Sequence, residues 1–315
     1  MGDKIISIVV SVYNEEESLD KFYKETLLVL EGLTWDYELV FVNDGSVDKS
    51  RTMLDAFAHE NKKVKVINFS RNFGHEAAMI AGIDYAKGDC IVCMDADLQH
   101  PPQSIPQIIK KFEEGYEIVS MVRSSRADGG YIKKITSAFF YKILNMLSPI
   151  KFERNASDFF AISNKVAHVL RTNYREQVRY LRGFVQSVGF KKATLAYDAQ
   201  SRVAGESKYN IRKLIQFSVT TICSFSDMPL KLGIYSGLFV ALFGVVLMIY
   251  TIIQKFVHDA PGGYSTIIVA MCFMFAILLG VIGIIGQYIS VLFIEIKKRP
   301  MYIIDETKNM NDSLN

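Results

Sequence analysis

Short apolar runs alternate with amphipathic segments through the first 120 residues. The runs predict strands at residues 5–10, 37–42, 64–68, 90–94 and 117–121. Between them, apolar positions at helical spacing predict helices at 16–30, from the Asn43-Asp44-Gly45-Ser46 turn to about 59, at 74–86 and at 103–114. Acidic residues open the first of these helices, where they suit its dipole. This strand–helix alternation predicts an α/β domain: a mainly parallel, Rossmann-like sheet with helices on both faces. Ligands on such sheets bind beyond the carboxyl ends of the strands. Tyr13, Asn14, Glu15, Asp44, Asp95 and Asp97 all fall at those ends. No G-x-G-x-x-G follows the first strand, which disfavours a dinucleotide fold.

Further along, the pattern changes. Residues 232–254 and 260–294 contain no Asp, Glu, Lys or Arg. A bilayer core about 30 Å thick needs roughly 20 apolar helical residues, so both stretches predict membrane spans, at about 232–254 and 265–292. The short link between them makes a helical hairpin. Lys208, Arg212, Lys213 and Lys231 precede it and Lys297, Lys298 and Arg299 follow it, whereas the link holds Lys255, His258 and Asp259. The positive-inside rule therefore places the soluble domain and both chain ends in the cytoplasm. Gly233 and Gly237 form a G-x-x-x-G that could join helices. Two segments read as amphipathic. Residues 131–147 fit a helix in the membrane interface as well as one facing a core, and 211–229 fit a juxtamembrane helix. The resulting division is a catalytic domain over 1–210, the juxtamembrane helix, the spans within 230–295 and a cytoplasmic tail over 296–315.

Composition narrows the partners. Half of the 315 residues are hydrophobic while 22% are charged, as expected of a soluble part joined to a membrane part. A formal net charge of +3, with no basic tail or zinc-finger spacing, excludes nucleic acid as the expected partner. Cys90 and Cys93 lie in one predicted strand and have no second pair to complete a zinc site, so packing in a reducing cytosol is their expected role. The N-terminus runs straight into a strand, which predicts no signal peptide.

The chemistry begins at Asp95-Ala96-Asp97-Leu98-Gln99. Residues i and i+2 of a strand share a face, so both carboxylates could enter one cavity. They repel unless a cation lies between them, and oxygen ligands favour Mg²⁺ or Mn²⁺, which keep positions open for substrate phosphates. A plain helix cap and turn before Pro101-Pro102 is the competing reading. Asp44 is likewise either a site residue at a strand end or the Asp of a strong turn signal. Arg123 and Arg126, after the fifth strand, could bind acceptor or donor phosphate, or be solvated loop arginines. His75, Glu76 and His100 read as helix-surface or loop residues.

Six motifs occur in order: Val10-Ser11-Val12-Tyr13-Asn14-Glu15, Val42-Asn43-Asp44-Gly45-Ser46, Arg71-Asn72-Phe73-Gly74, Asp95-Ala96-Asp97-Leu98-Gln99, Ser157-Asp158-Phe159, and Arg202-Val203-Ala204-Gly205-Glu206-Ser207-Lys208. With the hairpin after them, the chain resembles family 2 glycosyltransferases of the GT-A fold. Within these it is similar to the polyprenyl-phosphate glycosyltransferases, which include dolichyl-phosphate mannose synthases and bacterial undecaprenyl-phosphate glucosyltransferases. The resemblance implies inverting transfer of one sugar, glucose or N-acetylglucosamine, from a UDP-sugar to a polyprenyl phosphate at the membrane. Asp95, Asp97 and Gln99 would hold the divalent ion. Tyr13, Asn14, Glu15, Asp44 and Asp95 would bind the nucleotide, and Arg123, Arg126, Arg202, Ser207 and Lys208 the phosphates or acceptor. Asp158 would be the catalytic carboxylate, together with Asp97. A phosphate acceptor is already mostly ionised at neutral pH, so Asp158 is expected to orient substrates more than to remove a proton. The resemblance further implies a homo-oligomer such as a tetramer, a separate flippase and a downstream transferase. Two alternatives are transfer to a lipid hydroxyl such as that of diacylglycerol, and an inactive nucleotide-sugar binding protein. The Q-x-x-R-W motif of processive synthases is absent, because the only tryptophan is Trp35.

Overall fold

A computed structural model of the chain describes residues 4–124, 156–198, 222–223, 226–257 and 264–310. Arg126, Arg202, Ser207, Lys208, the 131–147 segment and nearly all of 211–225 lie outside the described residues. The described residues form two compact units. The first holds those up to 198 together with 299–310, and the second holds those from 222 to 298.

The first unit is an α/β sandwich. Its elements are β1 (Ile5–Val12), α1 (Leu19–Glu31), β2 (Asp36–Asn43), α2 (Ser50–Glu60), β3 (Val64–Phe69), α3 (His75–Tyr85), β4 (Cys90–Asp95), α4 (Ile105–Glu113), β5 (Ile118–Arg123), β6 (Ala156–Ser163), α5 (Asn164–Asn173), α6 (Leu181–Ser187), β7 (Lys192–Tyr197) and, after the second unit, β8 (Ile304–Lys308). The strands make one sheet in the order β7-β5-β6-β4-β1-β2-β3-β8. Parallel pairs join β1 to β2 and β4, β2 to β3, and β5 to β7, while β6 and β8 run antiparallel to their neighbours.

The five strands expected from the apolar runs are present, and the sheet is mainly parallel as expected. The strand β1 carries no solvated face: Ile6, Ile8, Val9, Val10 and Val12 are all fully buried, as suits a sheet covered on both sides. Against it, α1 presents Leu19, Phe22, Tyr23, Thr26 and Leu30, a helical stripe that packs on Phe41. The helix starts three residues later than the pattern predicts, because the Glu15 carbonyl first accepts from the Ser18 and Leu19 amides in a turn. A 3-10 turn, Pro102–Ser104, likewise delays α4.

Helix α3 is buried on most sides, from Ala77 to Ile83. Small residues permit this: a Cβ at Gly82 would stand 2.1 Å from Val9 Cγ1, so only glycine lets α3 lie so close to β1. That seat fixes the first residues of α3, His75 and Glu76. Cys90 and Cys93 are fully buried, and burial raises both thiols far above their usual range. They are packing residues here.

The second unit contains α7 (Met228–Val257) and α8 (Tyr264–Ile296). At 30 and 33 residues these are about 45 and 50 Å long, more than a bilayer core requires. Both have stretches long and apolar enough to cross a membrane. Leu238, Phe239, Leu242 and Leu279 stand exposed on them. Of the G-x-x-x-G pair, Gly233 faces Val281 of α8, where an added Cβ would meet Cγ1 at 3.2 Å, whereas Gly237 has nothing within 4 Å. One glycine of the motif therefore serves the hairpin.

No apolar run after the second span predicts a strand. The strand β8 nevertheless closes the sheet edge at β3. Around it, Tyr302 stacks on Phe69 and donates to Asp84, Arg51 pairs with Asp305 and Glu306, and Asn309 Nδ2 donates to the Ala58 and Val64 carbonyls.

Candidate active site

The antiparallel insertion of β6 builds the site. Cys90 pairs with Ser163 and Cys93 with Phe160. Continuing that register sets Asp158, near the start of β6, level with Asp95 at the end of β4. On the other side of β4, Ser11 of β1 pairs with Asp95. Ser157 Oγ donates to the Met121 carbonyl and ties the start of β6 to β5.

Helix α3 adds His75. Its Nδ1 lies 3.2 Å from Ser11 Oγ and 3.5 Å from Asp95 Oδ1, and its Nε2 lies 4.0 Å from Asp158 Oδ2. Arg182 of α6 places Nε 2.8 Å from Asp158 Oδ1. Glu76, beside His75, accepts the Leu181 amide at 2.9 Å. Desolvation opposes charge on Asp158, but Arg182 above all, with His75 and Arg123, outweighs it and holds its carboxyl below the usual range. Asp95 differs. Burial, with repulsion from Asp158, Asp97 and Glu15 and against the pull of His75, lifts its carboxyl to about 6. Burial pulls His75 down, yet Asp95 and Asp158 raise it overall.

After Asp95 the chain turns sharply. Leu98 is buried in a left-handed conformation at φ 62°, and Asp97 Oδ1 accepts the Gln99 amide at 3.0 Å. Gln99 Oε1 accepts from Arg123 Nη2, and Arg123 Nε donates to Tyr197 Oη, both at 3.1 Å. His100 underpins this turn. It is 1% exposed, its Nδ1 accepts the Asp95 amide at 3.0 Å, and its ring stacks on Phe159 and meets Tyr197 edge-on. Burial holds it down to about 3, so it is neutral. Replacing His100 by Ala removes that acceptor and opens a void between Phe159 and Tyr197. A loss of about 2–4 kcal/mol is expected. It would be read as a lower unfolding midpoint in thermal melts, and an unchanged midpoint would refute the assignment.

A second group lies along the ends of β1 and β2. Tyr13 is 45% exposed. Asn14, at φ 56°, donates its amide to Ser46 Oγ and accepts the Val47 amide on Oδ1. The Glu15 amide donates to Ser50 Oγ, and its Oε2 accepts from Ser18 Oγ. Asp44 is buried, and its two oxygens accept the Phe73 and Gly74 amides at 2.6 and 2.9 Å. Burial raises the Asp44 carboxyl, with those amides opposing. Beside it Gly45, at φ 67°, lets the turn lie on the backbone of Arg71, whose carbonyl carbon would sit 2.5 Å from an added Cβ. Asp44 and Asn14 thus fasten three loops together and leave Tyr13 as the open face.

The structure therefore gathers Asp95, Asp97, Gln99, Arg123 and Asp158 at one place, with Tyr13, Asn14, Glu15 and Asp44 along the adjoining strand ends. His75 and Glu76 stand at the start of α3 and His100 in the turn after β4, yet all three also contact the site: His75 and His100 lie beside Asp95, and Glu76 holds α6. Arg182 and Tyr197 went unnoticed in the sequence, where neither stands in a motif.

Among the described residues no three His, Cys, Asp or Glu side chains form a ready metal cage. The donor set still fits a hard cation. Burial, with repulsion from Asp158, Asp97 and Glu15, raises the Asp95 carboxyl above its usual range, and a cation among these oxygens would relieve that repulsion. Mg²⁺ is commonly held by only one or two carboxylates together with substrate phosphates.

Comparison with known proteins identifies the family. The glycosyl transferase family 2 domain matches residues 7–171, and the GtrB C-terminal hairpin matches residues 228–292. An uncharacterised glycosyltransferase of Bacillus subtilis, YkcC, is 39% identical over 96% of this chain and 93% of its own. The bactoprenol glucosyl transferase of Shigella phage SfII is 38% identical over 97% of this chain and 99% of its own. Among solved structures, glucosyl-3-phosphoglycerate synthase from Mycobacterium tuberculosis, in complex with Mn²⁺, UDP-glucose and phosphoglyceric acid, is 20% identical, covering 70% of this chain and 78% of that one at a TM-score of 0.48. A domain match over more than half of the chain, joined to relatives near 38% identity along almost all of it, shows that the chain belongs to glycosyltransferase family 2.

Proposed function

We propose that this enzyme moves glucose from UDP-glucose to a polyprenyl phosphate at the cytoplasmic face of a membrane, with inversion at the anomeric carbon. The observation that carries this reading is the near full-length similarity to bactoprenol glucosyl transferases, hairpin included. In the proposed reaction an acceptor phosphate oxygen attacks the anomeric carbon, the bond to UDP breaks, and UDP leaves with the electron pair.

The site residues suit that chemistry. The acceptor phosphate, with a second pKa near 6, is already mostly ionised at neutral pH and needs no base. Asp158, held by Arg182 below the usual carboxylate range, would be a weak base. It is better suited to orienting the reactants, and this weighs against a lipid hydroxyl as acceptor. Asp95 and Asp97, with Gln99 beside them, would hold Mg²⁺ or Mn²⁺, which when bound supplies neutralisation of the departing diphosphate. Arg123, fixed by Gln99 and Tyr197, is set to meet phosphate oxygens. Tyr13 would cover the uridine, with Asn14, Glu15 and Asp44 shaping its loops. Arg126, Arg202, Ser207 and Lys208 complete the proposed phosphate and acceptor contacts.

Sheet topology supports two membrane crossings. Because β8 pairs with β3, the chain must return after the hairpin to the unit it left. A single crossing would part those strands. With the basic flanks, this favours a cytoplasmic catalytic domain over 1–210, spans within 230–295 and a cytoplasmic C-terminal segment. A homo-oligomer, a flippase for the lipid-linked sugar and a downstream transferase belong to the same proposal.

The test combines membranes carrying the protein with UDP-glucose or UDP-N-acetylglucosamine, undecaprenyl phosphate and Mg²⁺, and identifies the lipid product by mass spectrometry. Glucosyl phospholipid is the expected product. Outer-shell partners alone are worth about 10–100-fold in metal affinity, so Asp97→Asn should cost at least about tenfold in metal-dependent transfer. Full activity in Asp97→Asn would remove the metal assignment.

A further inference from the structure

Helix α6 carries Arg182 to Asp158, yet little in α6 itself fixes where it begins. It has only seven residues, and its N-cap position is Tyr180, whose side chain makes no capping hydrogen bond. Helices this short do not persist alone in water, and their first amides lack partners within the helix. The missing acceptor comes from α3. Glu76 Oε2 takes the Leu181 amide at 2.9 Å, across 105 residues of sequence. Arg179 adds a second tie from the same segment, donating Nη1 to the Phe73 carbonyl at 3.2 Å, just before α3. Buried Tyr180, Leu181 and Phe184 seat the rest. At its other end the tie is rigid, because α3 lies on β1 through the Gly82–Val9 contact.

We infer that Glu76 is a positioning residue: by accepting the Leu181 amide it sets the start of α6 and so holds Arg182 against Asp158. This rests on the reading of Asp158 given above. Glu76 does not touch the reacting groups in this scheme, and it acts through the residue that follows Leu181. Its negative charge is not what the role needs, because an amide oxygen could accept the same hydrogen bond.

The test is a mutant cycle in the full-length protein, in membranes supplied with UDP-glucose, undecaprenyl phosphate and Mg²⁺. Glu76→Met keeps the length and packing of the side chain but offers no comparable acceptor. It should lower kcat by about 10–100-fold, as a displaced catalytic constellation does, with KM for UDP-glucose within about twofold of the parent. Glu76→Gln should restore kcat to within a few-fold. In an Arg182→Ala background, Glu76→Met should add less than about twofold, since both changes disable one unit. Losses that multiply in the double variant, or a Glu76→Gln protein as slow as Glu76→Met, would overturn the inference, whether or not the melting temperature falls. Asp158→Asn serves as the control. If it keeps full activity, the reading of the site fails, whereas if it is inactive while the Glu76 and Arg182 losses multiply, only the positioning role fails.

Discussion

Sugar transfer by Asp158→Asn is expected to fall by roughly 10²–10³-fold, with UDP-sugar affinity within a few-fold of the parent. The substitution keeps shape and removes charge. Arg182, at 2.8 Å, and His75, at 4.0 Å, would lose the anion between them. The guanidinium would then be free to pair with Asp95 or with phosphate, and the arrangement facing the sugar would shift. Because Arg182 and its neighbours hold the Asp158 carboxyl below the usual range, it stays ionised from pH 6 to 9. The parent's rate should therefore show no step from Asp158 across that interval. A base that had to lose its own proton in that interval would instead add a step that disappears in Asp158→Asn, beyond those the acceptor phosphate and Asp95 give near pH 6. Initial rates with purified acceptor at several pH values separate the two, and an Asp158→Asn enzyme at parental rate would end the assignment.

Glu38→Ala is expected to have the largest effect on stability, about 3–5 kcal/mol. Glu38 is 6% exposed within β2. It accepts from Ser7 Oγ at 2.5 Å and from the Lys87 amide at 2.6 Å, and it pairs with Lys65. Ser7 is its register partner on β1, and Ser7 Oγ in turn accepts the Gly88 amide at 2.8 Å. Truncation would strand a buried hydroxyl, an amide and an ammonium at once. Desolvation works against the Glu38 charge, but Lys65, the Lys87 amide and Ser7 outweigh it and lower its carboxyl in the fold. The ionised form is thus favoured when folded. Its contribution is complete above the unfolded value of 4.5 and fades as pH falls through the lower folded value. Thermal unfolding of parent and Glu38→Gln in detergent should differ clearly at pH 7 and converge toward pH 3. Equal midpoints at pH 7 would contradict this.

The fold was legible where local pattern and tertiary demand coincide. Strands β1 to β5 and helices α1 to α4 announce themselves because buried parallel strands are apolar throughout and covering helices carry one apolar stripe. The hairpin is plainer still, since no charge interrupts about 20 residues of either span. Strands β6, β7 and β8 are not among the expected ones: β7 is a short edge strand with partly exposed residues, and the other two differ from a central strand in composition. Ala156–Ser163 carries Ser157 and Asp158 amid phenylalanines, and Ile304–Lys308 is four-fifths polar because it lies at a sheet edge. Neither has the continuous apolar run of a central strand.

The same division holds for the site. That Asp95 and Asp97 are neighbours is a local fact of sequence, although β4 ends at Asp95 and Asp97 stands in the turn beyond it rather than on a shared strand face. The family, and the presence of an apolar two-helix hairpin, also follow from ordered motifs and apolar length alone. What surrounds Asp95 does not. Asp158 reaches it because β6 inserts antiparallel beside β4, and Arg182 meets Asp158 because Glu76, the Arg179 tie and buried Tyr180, Leu181 and Phe184 seat a short helix there. His100, which looks like a loop residue, is neutral and buried because Phe159 and Tyr197 close over it. Spacing along the chain records which groups share an element. Which elements meet is decided by burial and backbone pairing across the whole sheet, and this sets the charge and orientation of each group in the site.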